Sequence, residues 1–164
     1  MKKTLMIVGV ALLGQAVMGN AANAATDMTA YFKPMLAGCS YPAMGDGIPA
    51  KYKAAVANKK VKGNPKVEGE DVITTYTFKN ATAFGQPLLK AEYLQGYEWG
   101  HMKLYFKNAN FTTLRSQFKP PKDDGGIKLN KSNAQGYDHS ADGTLYTELK
   151  FDKKEKSIMC SSGV

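Results

Sequence analysis

Cys39 and Cys160 are the only cysteines in the 164-residue chain, and they stand near its opposite ends. A bond between them requires the first segment of the domain to lie against its last strand, which excludes any fold that keeps those parts separate. Closing a loop of roughly 100 residues or more stabilises by up to about 4.7 kcal/mol on the chain-entropy account. Neither cysteine belongs to a C-x-x-C pair and each has the other available, so a structural bridge is expected over a reactive thiol.

That bridge needs an oxidising compartment, and the N-terminus predicts one. MKKTLMIVGVALLGQAVMGNAANA combines Lys2 and Lys3, an apolar run from Leu5 to Val17, and the small-x-small ending Ala22-Asn23-Ala24. This pattern reads as a secretory signal peptide over residues 1–24, cleaved after Ala24. As a membrane span the run is short of about 18 residues and is interrupted by Gly9, Gly14 and Gln15. The expectation is an exported chain, periplasmic or secreted and not membrane-spanning, with one domain over residues 25–164.

Charge narrows the partners. The chain carries 22 basic and 14 acidic residues, a formal charge of +8, and loss of Lys2 and Lys3 lowers this to about +6. Every basic residue except Arg115 is lysine. Bidentate reading of bases and phosphates favours arginine, so a sequence-specific nucleic-acid reader is not expected. The stretch KYKAAVANKKVKGNPK places Lys51, Lys53, Lys59, Lys60, Lys62 and Lys66 together without an acid. Its plain reading is a solvated helix end, where cations suit the helix dipole. Its functional reading makes Lys59, Lys60 and Lys62 a contact for an anionic envelope component or an acidic protein.

Local patterning predicts an α+β fold, with two short N-terminal helices packed on an antiparallel β-meander and one disulfide. TDMTAYFKPMLAGC offers Thr26 and Asp27 as caps and puts Met28, Tyr31 or Phe32, and Met35 at helical spacing, with Pro34 limiting its length. A second helix is expected from Pro49 through KYKAAVAN. Strands are expected at VITTYTF, at LLKAEYL (Leu89, Ala91 and Tyr93 on one face), at FTTLRSQF, at SNAQGYDHS and at TLYTELKF, with KSIMC closing the sheet. Turns are expected at Asn108-Ala109-Asn110 and Ala141-Asp142-Gly143, and a surface loop at KPPKDDGG.

GYEWGHMKLYF, residues 96–106, holds the single tryptophan. Read as a strand, its even positions Met102, Leu104 and Phe106 form a core face. Its odd positions Tyr97, Trp99, His101, Lys103 and Tyr105 mix aromatic rings with His and Lys, the composition of a half-wet surface. Either the helices cover this stripe as core, or it is an exposed recognition face anchored by Trp99.

No catalytic set stands out. His101 and His139 are the two imidazoles, and a small phosphodiesterase-like hydrolase would need both on one phosphate, with Lys103 or Lys150 nearby. There is no G-x-S-x-G, and two histidines without a free thiol make too small a metal set. Asp138 to Gly143 imitates the start of an EF-hand loop, but position twelve falls on Leu149 where a glutamate is required. No cofactor is implied. The outline resembles in kind the periplasmic binding and inhibitory proteins, including immunity proteins that neutralise toxins attacking the envelope. Inhibition of a basic lysozyme is disfavoured because two cationic proteins repel. The expected function is therefore a non-enzymatic binding module with a macromolecular partner, and the alternative is the two-histidine hydrolase.

Overall fold

A computed structural model describes residues 24–42, 44, 47–108, 111, 113–141 and 145–164. Residues 1–23, which carry the expected signal peptide, lie outside that set, as do the centres of the turns expected at 108–110 and 141–143. The chain forms β1 (Thr26–Asp27), β2 (Val56–Lys62), β3 (Val72–Ala83), β4 (Gln86–Gln95), β5 (Trp99–Phe106), β6 (Lys128–Asn133), β7 (Gly136–Ser140), β8 (Tyr146–Asp152) and β9 (Ser157–Gly163). They make one nine-stranded sheet in the order β1-β3-β4-β5-β9-β8-β7-β6, with β2 also on β3.

The architecture corrects the expected α+β fold of two helices on a meander. The sheet is mixed, because β1 runs parallel to β3, pairing Thr26 with Ala81. It is also not a single meander. Strands β2 to β5 and β6 to β9 each wind antiparallel, and β9 inserts between β5 and β8 to join the two halves. KSIMC thus lies at the centre of the sheet instead of closing its edge. An antiparallel partner needs only a free edge and matched faces, so sequence adjacency does not determine which strands pair.

One helical stretch remains of the two expected. α1 (Thr29–Phe32) passes directly into a 3-10 turn (Lys33–Leu36). The N-cap is Met28, without a side-chain cap bond. Thr26 and Asp27, expected as caps, form β1, although the Asp27 carboxylate accepts the Thr29 N–H at 2.9 Å. Met28, Phe32 and Met35 are fully buried. Pro34 has no N–H for an α ladder, so the helix tightens and ends. The second helix is absent. After a 3-10 turn over Ala50–Ala55 the chain extends into β2, whose residues pair with the free edge of β3 from Val56↔Phe78 to Lys62↔Ile73. Only Tyr52 and Ala55 are buried in that turn, too little apolar surface to hold a helix against strand pairing. FTTLRSQF is not a strand either. Phe111, Leu114 and Phe118 are buried at i, i+3, i+7 around a 3-10 turn (Arg115–Gln117), a helical period mistaken for alternation.

The core occupies one face of the sheet. Met102, Leu104 and Phe106 of β5 are buried there, opposite Cys160 and Ile158 of β9, and the N-terminal helical segment covers them with Phe32 and Met35. Cys39 and Cys160 are bonded, fixing that segment to the central strand. In β4 a register shift between Leu88 and Lys90 buries Leu88 and Ala91 and leaves Leu89 exposed, which overturns the face expected for Leu89. The two longer outer strands carry lysines: β6 is exposed throughout and carries Lys128 and Lys131, and β2 carries Lys59, Lys60 and Lys62. Such lysines discourage strand addition by another chain.

Candidate functional site

Residues directly opposite in a sheet share a face, so register assigns each candidate side chain. His101 lies opposite Leu94 on one side and Ser161 on the other. Lys62 pairs Ile73, which pairs Leu94, so Lys62 and His101 share the outer face, away from the core. By the same rule Lys60, Lys103, Tyr105 and Trp99 lie on that outer face. Lys59 does not. It pairs Tyr76 on the core side, with its ammonium 5.4 Å from that ring. The helical segment therefore leaves the aromatic stripe uncovered, with Tyr97 in the β4–β5 turn.

The middle of the stripe is satisfied internally. The His101 Nε2 meets a Glu92 carboxylate oxygen at 3.3 Å, and Lys90 reaches the other oxygen at 3.7 Å. These contacts hold the Glu92 carboxyl below its ordinary value, the His101 hydrogen bond first, against a burial effect that raises it. Lys103 is paired with Glu155. Burial opposes its charge, but the Glu155 and Tyr105 contacts outweigh that and hold its ammonium above the usual range. Lys90 sits 3.7 Å over the Tyr105 ring. These groups have little left to offer a ligand.

The end of the stripe is open. Tyr97 is 73% and Trp99 44% exposed, and Trp99 lines a cleft of about 650 Å³ at the end of the sheet. Its aromatic walls are Tyr41, Tyr93, Trp99 and Tyr146, with Leu145, Ile127 and Pro121 between them. Tyr41 and Tyr93 meet edge to face at 6.2 Å. The Tyr41 hydroxyl lies 3.2 Å from the Ser162 hydroxyl, and burial raises its pKa despite that bond. Two glycines permit the arrangement. A Cβ on Gly100 would lie 2.8 Å from the Leu94 carbonyl oxygen and 3.1 Å from the Tyr41 hydroxyl, and one on Gly163 would strike Tyr146 at 2.6 Å and Trp99 at 3.0 Å. Trp99 and Tyr146 both flank Gly163 in register, so the bare glycine lets the Tyr146 ring lie over the strand beside Trp99. Clefts of a few hundred Å³ with apolar walls and a few polar groups are the usual form of ligand sites.

Sequence reading found Trp99 and Tyr97 but not Tyr41, Tyr93, Tyr146 or the acids Glu98 and Asp124, which line the same cleft. They are spread over more than 100 residues of sequence, from Tyr41 to Tyr146, and none carries a local motif. The two histidines do not converge. His139 pairs Thr147, which pairs Ser162, which pairs Gly100, so it lies on the face opposite His101. His139 is 3% exposed, with its Nε2 3.2 Å from an Asp123 carboxylate oxygen that also accepts the Leu129 N–H. Among the described residues no group of three or more His, Cys, Asp and Glu side chains is placed to hold a metal ion, and no helix is long and apolar enough to cross a membrane. No family model, curated protein or solved structure matches the chain.

Proposed function

We propose that this chain is an exported, non-enzymatic binding or inhibitory module of the immunity-like kind, which recognises a macromolecular partner through Trp99, Tyr97 and the adjoining cleft. The observation that carries this reading is the exposure of two large aromatic side chains, Tyr97 at 73% and Trp99 at 44%, of which Trp99 lines an aromatic-walled cleft. Exposed apolar surface of this kind marks interaction sites, and Trp and Tyr are the residues that most often anchor them. Lys60 and Lys62, on the same face, add attraction to an acidic protein or anionic envelope component. A periplasmic or secreted location is supported by the Cys39–Cys160 bond, since such bonds persist in oxidising compartments. The alternative two-histidine hydrolase draws no support from a register that sets His101 and His139 on opposite faces.

The test is capture of the partner from envelope extract by the mature protein at low and high salt. Trp99→Ala should weaken capture by well over tenfold, the usual scale for a central aromatic anchor, with little change in thermal midpoint because a half-exposed ring leaves no closed cavity. Salt should weaken the lysine contribution, since screening acts beyond about 8 Å at physiological ionic strength. Replacing His101 and His139 together by Gln should leave activity in place. Undiminished capture by Trp99→Ala would remove the aromatic anchor from this reading.

A further inference from the structure

The cleft beside Trp99 is locally acidic in a chain with a formal charge of +8. Glu98 and Asp124 line it, with Lys122 the one lysine of the lining among the described residues. A third carboxylate, that of Asp71, is not part of the lining, but its Oδ1 would lie 2.7 Å from a Cβ on the lining residue Gly96. We infer that this cleft receives a lysine or arginine side chain of a protein partner, held between the aromatic walls and the carboxylate rim. The inference rests on the binding reading above and names the chemistry of its anchor.

Aromatic faces attract cations through the ring quadrupole, Trp most strongly. The chain already uses this contact elsewhere. Lys90 lies 3.7 Å over Tyr105 and Lys51 lies 4.8 Å over Tyr52. Among the described residues no lysine or arginine lies over Trp99 or Tyr146. A basic side chain fits such a site along its whole length, because its aliphatic stem covers apolar surface such as Leu145 and Ile127 while its head reaches the carboxylates. A neutral apolar side chain would fill the walls but leave the two lining carboxylates facing the single charge of Lys122.

Net charge then limits the partner as a whole. A strongly basic protein would be repelled at long range by this cationic chain. A partner that is neutral or acidic overall, with one protruding basic residue, avoids that repulsion. Its acidic remainder would meet Lys60 and Lys62 on the outer face that Trp99 shares, three strands from β5, about 14 Å at ordinary strand spacing.

The experiment is a fluorescence titration of Trp99, the single tryptophan, with short synthetic peptides identical except for a central arginine, lysine or norleucine, and with tetramethylammonium chloride. The arginine and lysine peptides should change the emission saturably and bind about tenfold tighter than the norleucine peptide. Glu98→Gln combined with Asp124→Asn should abolish that preference while circular dichroism and the thermal midpoint stay as in the parent, and Glu98→Gln alone should reduce it if the pair perturbs the fold. Equal binding of the norleucine peptide, absence of a saturable response to the basic peptides, or binding of tetramethylammonium as tight as theirs would overturn the inference. The envelope capture separates it from the broader reading. Unchanged capture by the Glu98→Gln, Asp124→Asn protein together with loss in Trp99→Ala would remove the cationic anchor and leave the binding module standing.

Discussion

Tyr31 packs edge-on against Phe32 at 5.0 Å and beside Tyr52 at 5.7 Å, yet its hydroxyl is buried with no hydrogen-bond partner among the described residues. Burial, followed by the neighbouring Tyr76 and Tyr93, pushes its pKa up to about 12. A buried hydroxyl without a partner carries its desolvation cost uncompensated, about 1 kcal/mol or more. Tyr31→Phe should therefore leave the thermal midpoint unchanged or raise it, and a clear fall in calorimetry would show that the hydroxyl has a partner. Glu92 behaves in the opposite sense. Its carboxyl is held below the ordinary 4.5 by His101 and Lys90, so between the folded and unfolded values the unfolded chain binds more protons. The stabilisation is present above the unfolded value and is lost as pH falls through the folded one. Glu92→Gln should lower stability near neutrality and flatten its decline in acid, measured by urea midpoints across a pH series.

At the level of elements, Arg115 shows how a loop and a hairpin are joined. Its guanidinium donates from Nε to the Asn133 carbonyl at 2.8 Å, from Nη1 to the Phe118 carbonyl at 3.0 Å, and from Nη2 to the Ser132 hydroxyl and the Gly136 carbonyl at 2.9 and 3.0 Å. These bonds fasten the 3-10 turn at 115–117 to the β6–β7 hairpin, and the guanidinium also lies 5.7 Å over the Tyr137 ring. An ammonium has three donors on one nitrogen and cannot span four acceptors in this fork. Arg115→Lys should cost about 2 kcal/mol and speed amide exchange in β6 and β7 before the rest of the sheet. Uniform exchange across all strands would mean the arginine does not control that hairpin.

For the whole molecule, the decisive junction is the pairing of β5 with β9. Met102 lies opposite Cys160, and Cys160 is bonded to Cys39, so one covalent link secures the N-terminal segment where the two four-strand halves meet. The two cysteines are 121 residues apart, and loops of this length are those whose closure most restricts the unfolded chain. Cys39→Ser should lower stability by about 3 to 4 kcal/mol in reversible urea unfolding. A loss below about 1 kcal/mol would mean that the unfolded chain keeps these segments close without the bond.

Local chemistry was sufficient for several of these features. Alternation placed Met102, Leu104 and Phe106 on the core face of β5, because side-chain direction in a strand depends only on parity. Two cysteines without competitors had one pairing to make, and Met28, Tyr31 or Phe32, and Met35 marked a helical turn by spacing, the fold choosing Phe32 as the fully buried ring. The tertiary structure decided the rest. KYKAAVAN is rich in helix-favouring Ala and Lys but buries only Tyr52 and Ala55, so the free edge of β3 drew Val56 onward into a strand. KSIMC reads as a strand, but its place between β5 and β8 depends on partners more than 50 residues away in one case. Of the cleft walls only Trp99 stood out in the sequence, because Tyr41, Tyr93 and Tyr146 become its neighbours only when the segment after the helical turn meets the ends of strands from both halves. The histidines separate for the same reason: their parity could be read within each strand, but which faces those strands share is a property of register, and register is set by pairing across the folded sheet.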